Sequence, residues 1–434
     1  MPESLVDAVS NRQRVTGAPH DLYRYPARFA PVFAREAIQA FTKPTDLVLD
    51  PFCGGGTTLV EALALGRRAV GMDINALATF LTRAKTTPIS IHDKRAIATW
   101  IATLQSAERV CESDLPHVAD PEIAYYHRNL PEAARIFFCW VLQQLTRLPT
   151  VRQQRFVRLA LLSVGQWALD CKIRVPTAAE LQAEFYHRLR DAIQDYFEFI
   201  SGAAQRNQVP RCHLLSLRRI INCSSQRSAE DGRILKSWLP AKLVLTSPPY
   251  PGVHVLIIAG KFSAAGKTPA PFWLANQRDG AGESYYLLGP RQENELATYF
   301  ARLKSIFSSV RHLLNRDSLV IQLVAFSDPE WQLSHYLRTM KDAGYKELEA
   351  DCKTDNKIAG RIWRTVPGRR RRLVFAPIRF AHANPVRQLD ATRSFALLSL
   401  CFPGRLSASA IPARRFYCRF NAKLKAVSKR LELS

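Results

Sequence analysis

The chain lacks any Cys-x-x-Cys pair, and its nine cysteines are odd in number. Neither a structural zinc site nor a disulfide framework is expected, and a reducing cytoplasmic compartment fits best. No run approaches eighteen apolar residues, and the opening Met1-Pro-Glu-Ser-Leu5 has no basic-then-apolar leader pattern. Membrane spanning and secretion are therefore not expected. Acidic residues are scarce: 37 Asp and Glu face 61 Lys and Arg, a formal net charge of +24. An excess of that size implies a polyanionic partner, because phosphate contacts dominate nucleic-acid affinity. More than half of it lies in residues 369–434, with 15 Lys or Arg against 2 acidic residues. That placement suits a phosphate-gripping tail better than a reader of sequence.

What is present is punctuated by glycine and proline. Leu47-Val-Leu-Asp50-Pro51-Phe52-Cys53-Gly54-Gly55-Gly56-Thr57-Thr58 reads as a buried strand, a glycine turn and a helix start. Such a turn lets backbone N–H groups approach a ligand closely. A second strand, Arg68–Met72, ends at Asp73. An acid about twenty residues beyond the turn is placed to take ribose hydroxyls. The glycines do not fall in Gly-x-Gly-x-x-Gly order and no Gly-Lys-Ser/Thr follows them. A nucleoside cofactor therefore fits, and neither NAD nor a phosphate loop does. Further on, Val244-Leu-Thr-Ser247-Pro248-Pro249-Tyr250 is an apolar run stopped by two prolines. The prolines forbid helix or central strand and hold the backbone extended. Ser247 and the Pro248 carbonyl can accept two amine hydrogens while Tyr250 stacks on a flat base.

Together these segments resemble the amino-group DNA methyltransferases that use S-adenosylmethionine, over about residues 20–90 and 240–375. The resemblance implies that Asp50, Pro51, Phe52, Gly54, Gly56 and Thr57 hold the methionine part of the cofactor and Asp73 its ribose. It implies that His20-Asp-Leu-Tyr-Arg-Tyr25-Pro26-Ala-Arg-Phe29 closes over the methionine end, through Tyr25, Pro26 and Phe29. It implies that Ser247, Pro248, Pro249 and Tyr250 form the catalytic motif. Its Ser-Pro-Pro-Tyr version is more typical of cytosine-N4 enzymes, and Asp- or Asn-Pro-Pro-Tyr of adenine-N6 enzymes. The family's acid some twenty residues before that motif, which meets the cofactor adenine, is replaced by Cys223-Ser-Ser-Gln-Arg-Ser228. A serine there, or Asp231, is left to serve. The implied partners are double-stranded DNA and a cognate restriction endonuclease, with no metal. Open alternatives are adenine N6 in DNA, guanine N2 in structured RNA, and a DNA-binding relative without turnover.

The expected fold is α/β: a doubly wound, Rossmann-like methyltransferase sheet with a mainly helical insertion between the two motifs. Residues 1–92 and 206–378 form the two parts of the methyltransferase domain, 93–205 the insertion, and 379–434 a basic extension. Ligands in such sheets bind beyond the carboxyl ends of strands where strand order reverses, so strands ending at Asp50 and Thr246 are expected neighbours. Base methylation inside a duplex also demands a flipped nucleotide. Residues 1–19 read as a weakly ordered lead-in, and Leu214–Ile221, Leu319–Val324 and helices at Val32–Phe41, Ala76–Lys85, Leu303–Leu314 and Trp331–Ala343 as regular elements. Phe137, Phe138, Trp140 and Trp167 read as core, and Cys53 as packing, since no thiolate is needed for amine chemistry. The Gly/Ala/Pro-rich residues 251–291, with His254, read as a functional loop. The insertion and this loop compete as the target-recognition element.

Overall fold

A computed structural model describes residues 3–10, 15, 17–25, 28–106, 121–170, 174–250, 268–280, 288, 296–326, 329–348, 357–358, 361–362, 364–365 and 374–382. Its elements run α1 (Glu3–Ser10), α2 (Pro31–Phe41), β1 (Leu47–Asp50), α3 (Thr57–Ala64), β2 (Arg68–Asp73) and α4 (Ala76–Lys85). Then come α5 (Ile91–Ser106), α6 (Pro121–His127), α7 (Glu132–Gln144), α8 (Val151–Leu169) and α9 (Ala178–Arg206). The sheet resumes with β3 (Arg218–Asn222) and β4 (Leu243–Thr246), followed by α10 (Ala270–Leu274), α11 (Leu296–Arg311), β5 (Leu319–Phe326), α12 (Pro329–Asp342) and β6 (Tyr345–Glu347). Short strands β7 (Lys357–Ile358), β8 (Arg361–Ile362) and β9 (Arg364–Thr365) precede β10 (Val374–His382).

The sheet order is β3-β2-β1-β4-β5-β10-β6. Strands β3, β2, β1, β4 and β5 are parallel, and β10 lies antiparallel between β5 and β6. Both faces of the parallel strands are covered, which is why these strands are short and almost wholly apolar. Val48, Leu243 and Leu245 pack with α2 and α3 on one face. Leu47, Leu49 and Val244 pack with α11 and α12 on the other. This is the α/β doubly wound arrangement that the sequence predicts, and strand order reverses between β1 and β4.

Helices α4 to α9 share a further core holding Phe137, Phe138, Trp140, Phe185 and Tyr196, with Trp167 packed at its margin. Two of these helices begin with reciprocal caps: Thr150 with Gln153 on α8, and Thr177 with Glu180 on α9.

Several elements differ from expectation. Residues 3–10 form α1, whose Leu5 and Ala8 are buried with α2, so the lead-in is partly structured. The strand expected from Leu214 starts at Arg218, where pairing to Ala69 begins. Leu214 instead sits in a short 3-10 turn after Pro210 and packs into the helical core. Helix α11 starts seven residues before the expected Leu303, because Leu296 and Tyr299 continue its buried stripe. Residues 251–267, with His254, and residues 383–434 lie outside the described residues.

Candidate active site

The glycine turn and the double-proline corner leave the same edge of the sheet from adjacent strands. Val48 and Leu49 of β1 pair with Leu243 and Val244 of β4, so both strands end side by side. A buried hydrogen bond ties the ends: Thr246 Oγ1 donates to Asp50 Oδ1 at 2.6 Å. Phe52 N–H donates to the same oxygen at 3.1 Å. Thr58, at the start of α3, reaches across to the Leu245 carbonyl at 3.1 Å. Asp50 is only 2% exposed, and burial pushes its carboxyl up to about 6 against the bonds from Thr246 and Phe52. Asp50 is thus a buried clamp between the two motifs, where the resemblance implies a ligand contact.

The turn is shaped by what packs on it. Gly56 has φ +84°, a left-handed conformation, and opens α3 at Thr57. A Cβ on Gly55 would stand 2.7 Å from Tyr25 Cβ, and one on Gly56 2.8 Å from Thr82 Oγ1. The glycines therefore admit Tyr25 and α4 as well as any ligand. Thr82 donates to the Gly54 carbonyl at 3.0 Å, and Ser225 donates to the Pro51 carbonyl. Phe52 lies half-buried with its ring 6.3 Å from that of Phe307. Cys53 is buried under the turn, and burial pushes its thiol well up, so it stays uncharged.

Asp73 ends β2 beside this turn and is partly exposed. Its two oxygens each accept one backbone N–H, from Gly54 at 3.0 Å and Asn75 at 2.9 Å. Desolvation raises its carboxyl to about 6, opposed by those two bonds. A carboxylate has lone pairs for about four donors, so half of its capacity is left for hydroxyls. Tyr25 closes the turn from above, its hydroxyl accepting from Asn75 Nδ2 at 3.2 Å. Phe29 is not at the turn's surface but buried in edge-to-face contact with Phe33 of α2. Pro26 lies outside the described residues.

The segment bearing Tyr25 is anchored by groups that sequence reasoning missed. His20 Nε2 and Glu61 Oε1 of α3 are 2.7 Å apart, and Arg35 Nε donates to Glu61 Oε2 at 2.8 Å. Desolvation works to raise the Glu61 carboxyl, but His20 and Arg35 outweigh it and hold the carboxyl low. Lys85 Nζ, buried, donates to the Tyr23 carbonyl at 2.9 Å. Burial, with Arg28 nearby, lowers that ammonium to about 7. Gln166 of α8 brackets Arg24 with two backbone bonds of 2.8 and 3.0 Å. A glutamate inside the otherwise apolar helix Thr57–Ala64 was the available signal for Glu61, since such helices are buried all round.

At the other corner, Ser247 Oγ donates to the Leu323 carbonyl at 3.1 Å and lies 2.8 Å from the Tyr250 hydroxyl. A hydroxyl has one hydrogen, so with that hydrogen on Leu323 it accepts from Tyr250 and keeps acceptor capacity only. Burial raises the Tyr250 phenol to about 12, so it stays a donor. Tyr250 is 4% exposed and folded inward, where the sequence suggests a ring offered to a base. Tyr299 of α11 donates to the Pro249 carbonyl at 2.7 Å. Among the described residues no donor reaches the Pro248 carbonyl. Past β3, Ser224 caps a 3-10 turn, Ser228 bonds Ser309, and Arg233 forks onto Asp231. The serines considered for the missing acid are therefore engaged within the protein.

Comparison with known proteins finds similarity to DNA methylases. The model of the N6/N4 DNA methylase family matches residues 7–79. The Type II methyltransferase M.MvaI of Kocuria varians is 26% identical over 75% of this chain and 75% of its own. The Type II methyltransferase M1.MboII of Moraxella bovis is 54% identical over a short stretch, 9% of this chain and 15% of its own. Among solved structures, an rRNA methyltransferase from Streptomyces viridochromogenes covers 86% of this chain and 96% of its own, with 11% identity and a TM-score of 0.29, too low to bear on the argument.

Proposed function

We propose that the chain, which is similar to the amino-group methyltransferases that use S-adenosylmethionine, methylates the exocyclic N4 amine of cytosine in duplex DNA. The observation that carries this reading is the Ser247 hydroxyl, whose hydrogen goes to the Leu323 carbonyl so that its oxygen is an acceptor only. An amine offers two hydrogens and a lone pair delocalised into the ring. Ser247 Oγ and the Pro248 carbonyl, accepting those hydrogens, draw the lone pair back onto nitrogen. Tyr299, holding the Pro249 carbonyl, fixes the corner from which both acceptors project.

The cofactor fits the residues at the glycine turn. Asp73 keeps acceptor capacity beside a backbone turn that Tyr25 covers, as a ribose diol next to a compact polar group requires. When bound, S-adenosylmethionine supplies an electrophilic sulfonium methyl. The Asp50–Thr246 clamp sets the spacing between the ribose-holding turn and the amine-holding corner. The flipped nucleotide costs a few kcal/mol, which phosphate contacts by the +24 chain offset.

The helical insertion and the segment after the corner meet in one place, and we assign target recognition to both together. Tyr125 of α6 donates to Asp279 Oδ2 at 2.9 Å, and Asp279 N–H donates to the Tyr126 hydroxyl at 3.2 Å. His127 stands edge-on to Trp273 of α10, ring centres 4.5 Å apart. Two of the relatives are Type II methyltransferases, which supports a role beside a restriction endonuclease. Mass analysis of nucleosides from DNA of cells expressing the chain tests the reading. N4-methylcytosine is expected, and absent with Ser247→Ala. N6-methyladenine in its place would move the target to adenine, and no methylated base would refute turnover.

A further inference from the structure

Lys85, in the last turn of α4, is 2% exposed. Its ammonium has three hydrogens, and among the described residues only the Tyr23 carbonyl, at 2.9 Å, accepts one. The free carbonyls at the end of a helix attract a lysine in its last turn, but this one turns away from them to the segment that bears Tyr25. No carboxylate among the described residues pairs with it. Glu61 of the neighbouring α3 is spent on His20 and Arg35. Burial disfavours the ammonium's charge, Arg28 repels it, and the exposed Asp21 offsets these least. A buried cation in this state is costly, so an anion that joins it is favoured.

The ammonium lies against the glycine turn. A Cβ built on Gly55 would stand 3.9 Å from Lys85 Nζ. The same turn opens α3, whose first turn holds no acidic residue and whose cap, Gly56, has no side chain to accept a hydrogen bond. Among the described residues nothing accepts from the N–H groups of Thr57, Thr58 or Leu59. Two independent features of one turn, an uncapped helix amino terminus and a buried ammonium with two spare hydrogens, thus lack the same thing, a small anion. The acids at the turn, Asp50 and Asp73, bring charge of the wrong sign for holding one.

We propose that Lys85, with the N–H groups that open α3, binds the carboxylate at the amino-acid end of S-adenosylmethionine. The assignment rests on the cofactor reading of the glycine turn and supplies the counter-charge that the turn's own side chains lack. One hydrogen of the ammonium stays on the Tyr23 carbonyl while the other two serve the carboxylate, so a single charge joins the cofactor to the segment that carries its cover, Tyr25.

Calorimetric titration of the full chain with S-adenosylhomocysteine and with its carboxamide analogue tests the assignment, because the two ligands differ only in the group that Lys85 would meet. Wild type should prefer the carboxylate by about thirtyfold, the factor expected of a hydrogen bond to a charged partner. Lys85→Met keeps the apolar stem and removes the ammonium, and should shrink that preference to about threefold or less, the remainder belonging to the helix amino terminus. A variant that loses the same factor for both ligands would show that Lys85 only holds Tyr23, and would overturn the proposal. Equal affinities of wild type for the two ligands would overturn it as well, a comparison that needs no variant to fold. Wild type that binds neither would remove the cofactor reading and this site with it. No outcome depends on methyl transfer, so the choice of target base stands or falls separately.

Discussion

Replacing Thr246 by Val tests the clamp that makes one site of two motifs. The change keeps shape and β-branching and removes only the hydroxyl that donates to Asp50 at 2.6 Å. Thr246 is fully buried and Asp50 nearly so, so no water replaces the donor. A bond to a charged acceptor contributes about 2 kcal/mol and one to a neutral acceptor about 1 kcal/mol. The Asp50 carboxyl titrates at about 6 in the folded chain against 3.8 as a free side chain. An acid raised in this way contributes its full stability below about 3.8 and loses it as pH rises through about 6. The hydroxyl matters most where Asp50 is charged, so the valine variant should lose about 2 kcal/mol at pH 8 and about 1 kcal/mol at pH 5. Denaturant unfolding at the two pH values measures the difference. In an Asp50→Asn background the cost of Thr246→Val should become equal at both. Equal losses in the Asp50 background would refute the charged acceptor, and no loss at either pH would refute the bond itself.

Tyr299→Phe should slow single-turnover methyl transfer about tenfold, because the Pro249 carbonyl loses its donor and the corner its fixed position. A rate equal to wild type would show that the corner holds without it. Gly55→Ala, whose methyl would meet Tyr25 Cβ at 2.7 Å, should weaken S-adenosylmethionine binding by calorimetry; Gly232→Ala, with nothing within 4 Å, is the control that should not. Lys85 titrates at about 7 in the fold against 10.5 free, so its contribution is complete above about 10.5 and is lost as pH falls to about 7. Lys85→Met should therefore flatten the rise in melting temperature between pH 7 and pH 10, and an unaltered rise would place that titration elsewhere.

The two corners were legible because glycine and proline write backbone geometry directly into sequence. Gly54-Gly55-Gly56 and Pro248-Pro249 can be little else than turns, and the reversal of strand order follows from a βα pattern. What could not be read was tertiary partnership. Thr246 and Asp50 are separated by 196 positions, and nothing local announces that one donates to the other. Tyr250 reads as an exposed ring, yet its hydroxyl turns to Ser247, and α11 supplies the buried Tyr299 beside the same corner. Phe29 was placed at the cofactor by its motif, whereas Phe33 one helical turn on draws it into the core. Arg218 is buried at the start of β3, where the Thr86 carbonyl and Thr87 hydroxyl just past α4 accept from its guanidinium.

Inserting more than a hundred residues between β2 and β3 leaves those strands paired, from Ala69–Arg218 to Asp73–Asn222. Loop-closure entropy grows only as the logarithm of length, so the insertion costs the sheet little, provided that it folds on a core of its own. It packs through Phe137, Phe185 and Tyr196 into a core that it shares with Tyr23, Tyr25 and α4, and so reaches back to the site. Gln166 grips Arg24 next to the tyrosine over the glycine turn. One residue earlier, a Cβ on Gly165 would stand 3.5 Å from Leu274, which adjoins the Trp273 that meets His127 edge-on. A change in the α6–α10 contact therefore reaches the cover of the cofactor turn through a single helix, α8. On the proposed reading, a target engaged at Tyr125, His127 and Trp273 would act through α8 on the residues over the glycine turn, the coupling an enzyme needs if it is to commit its methyl group only when the correct base is present.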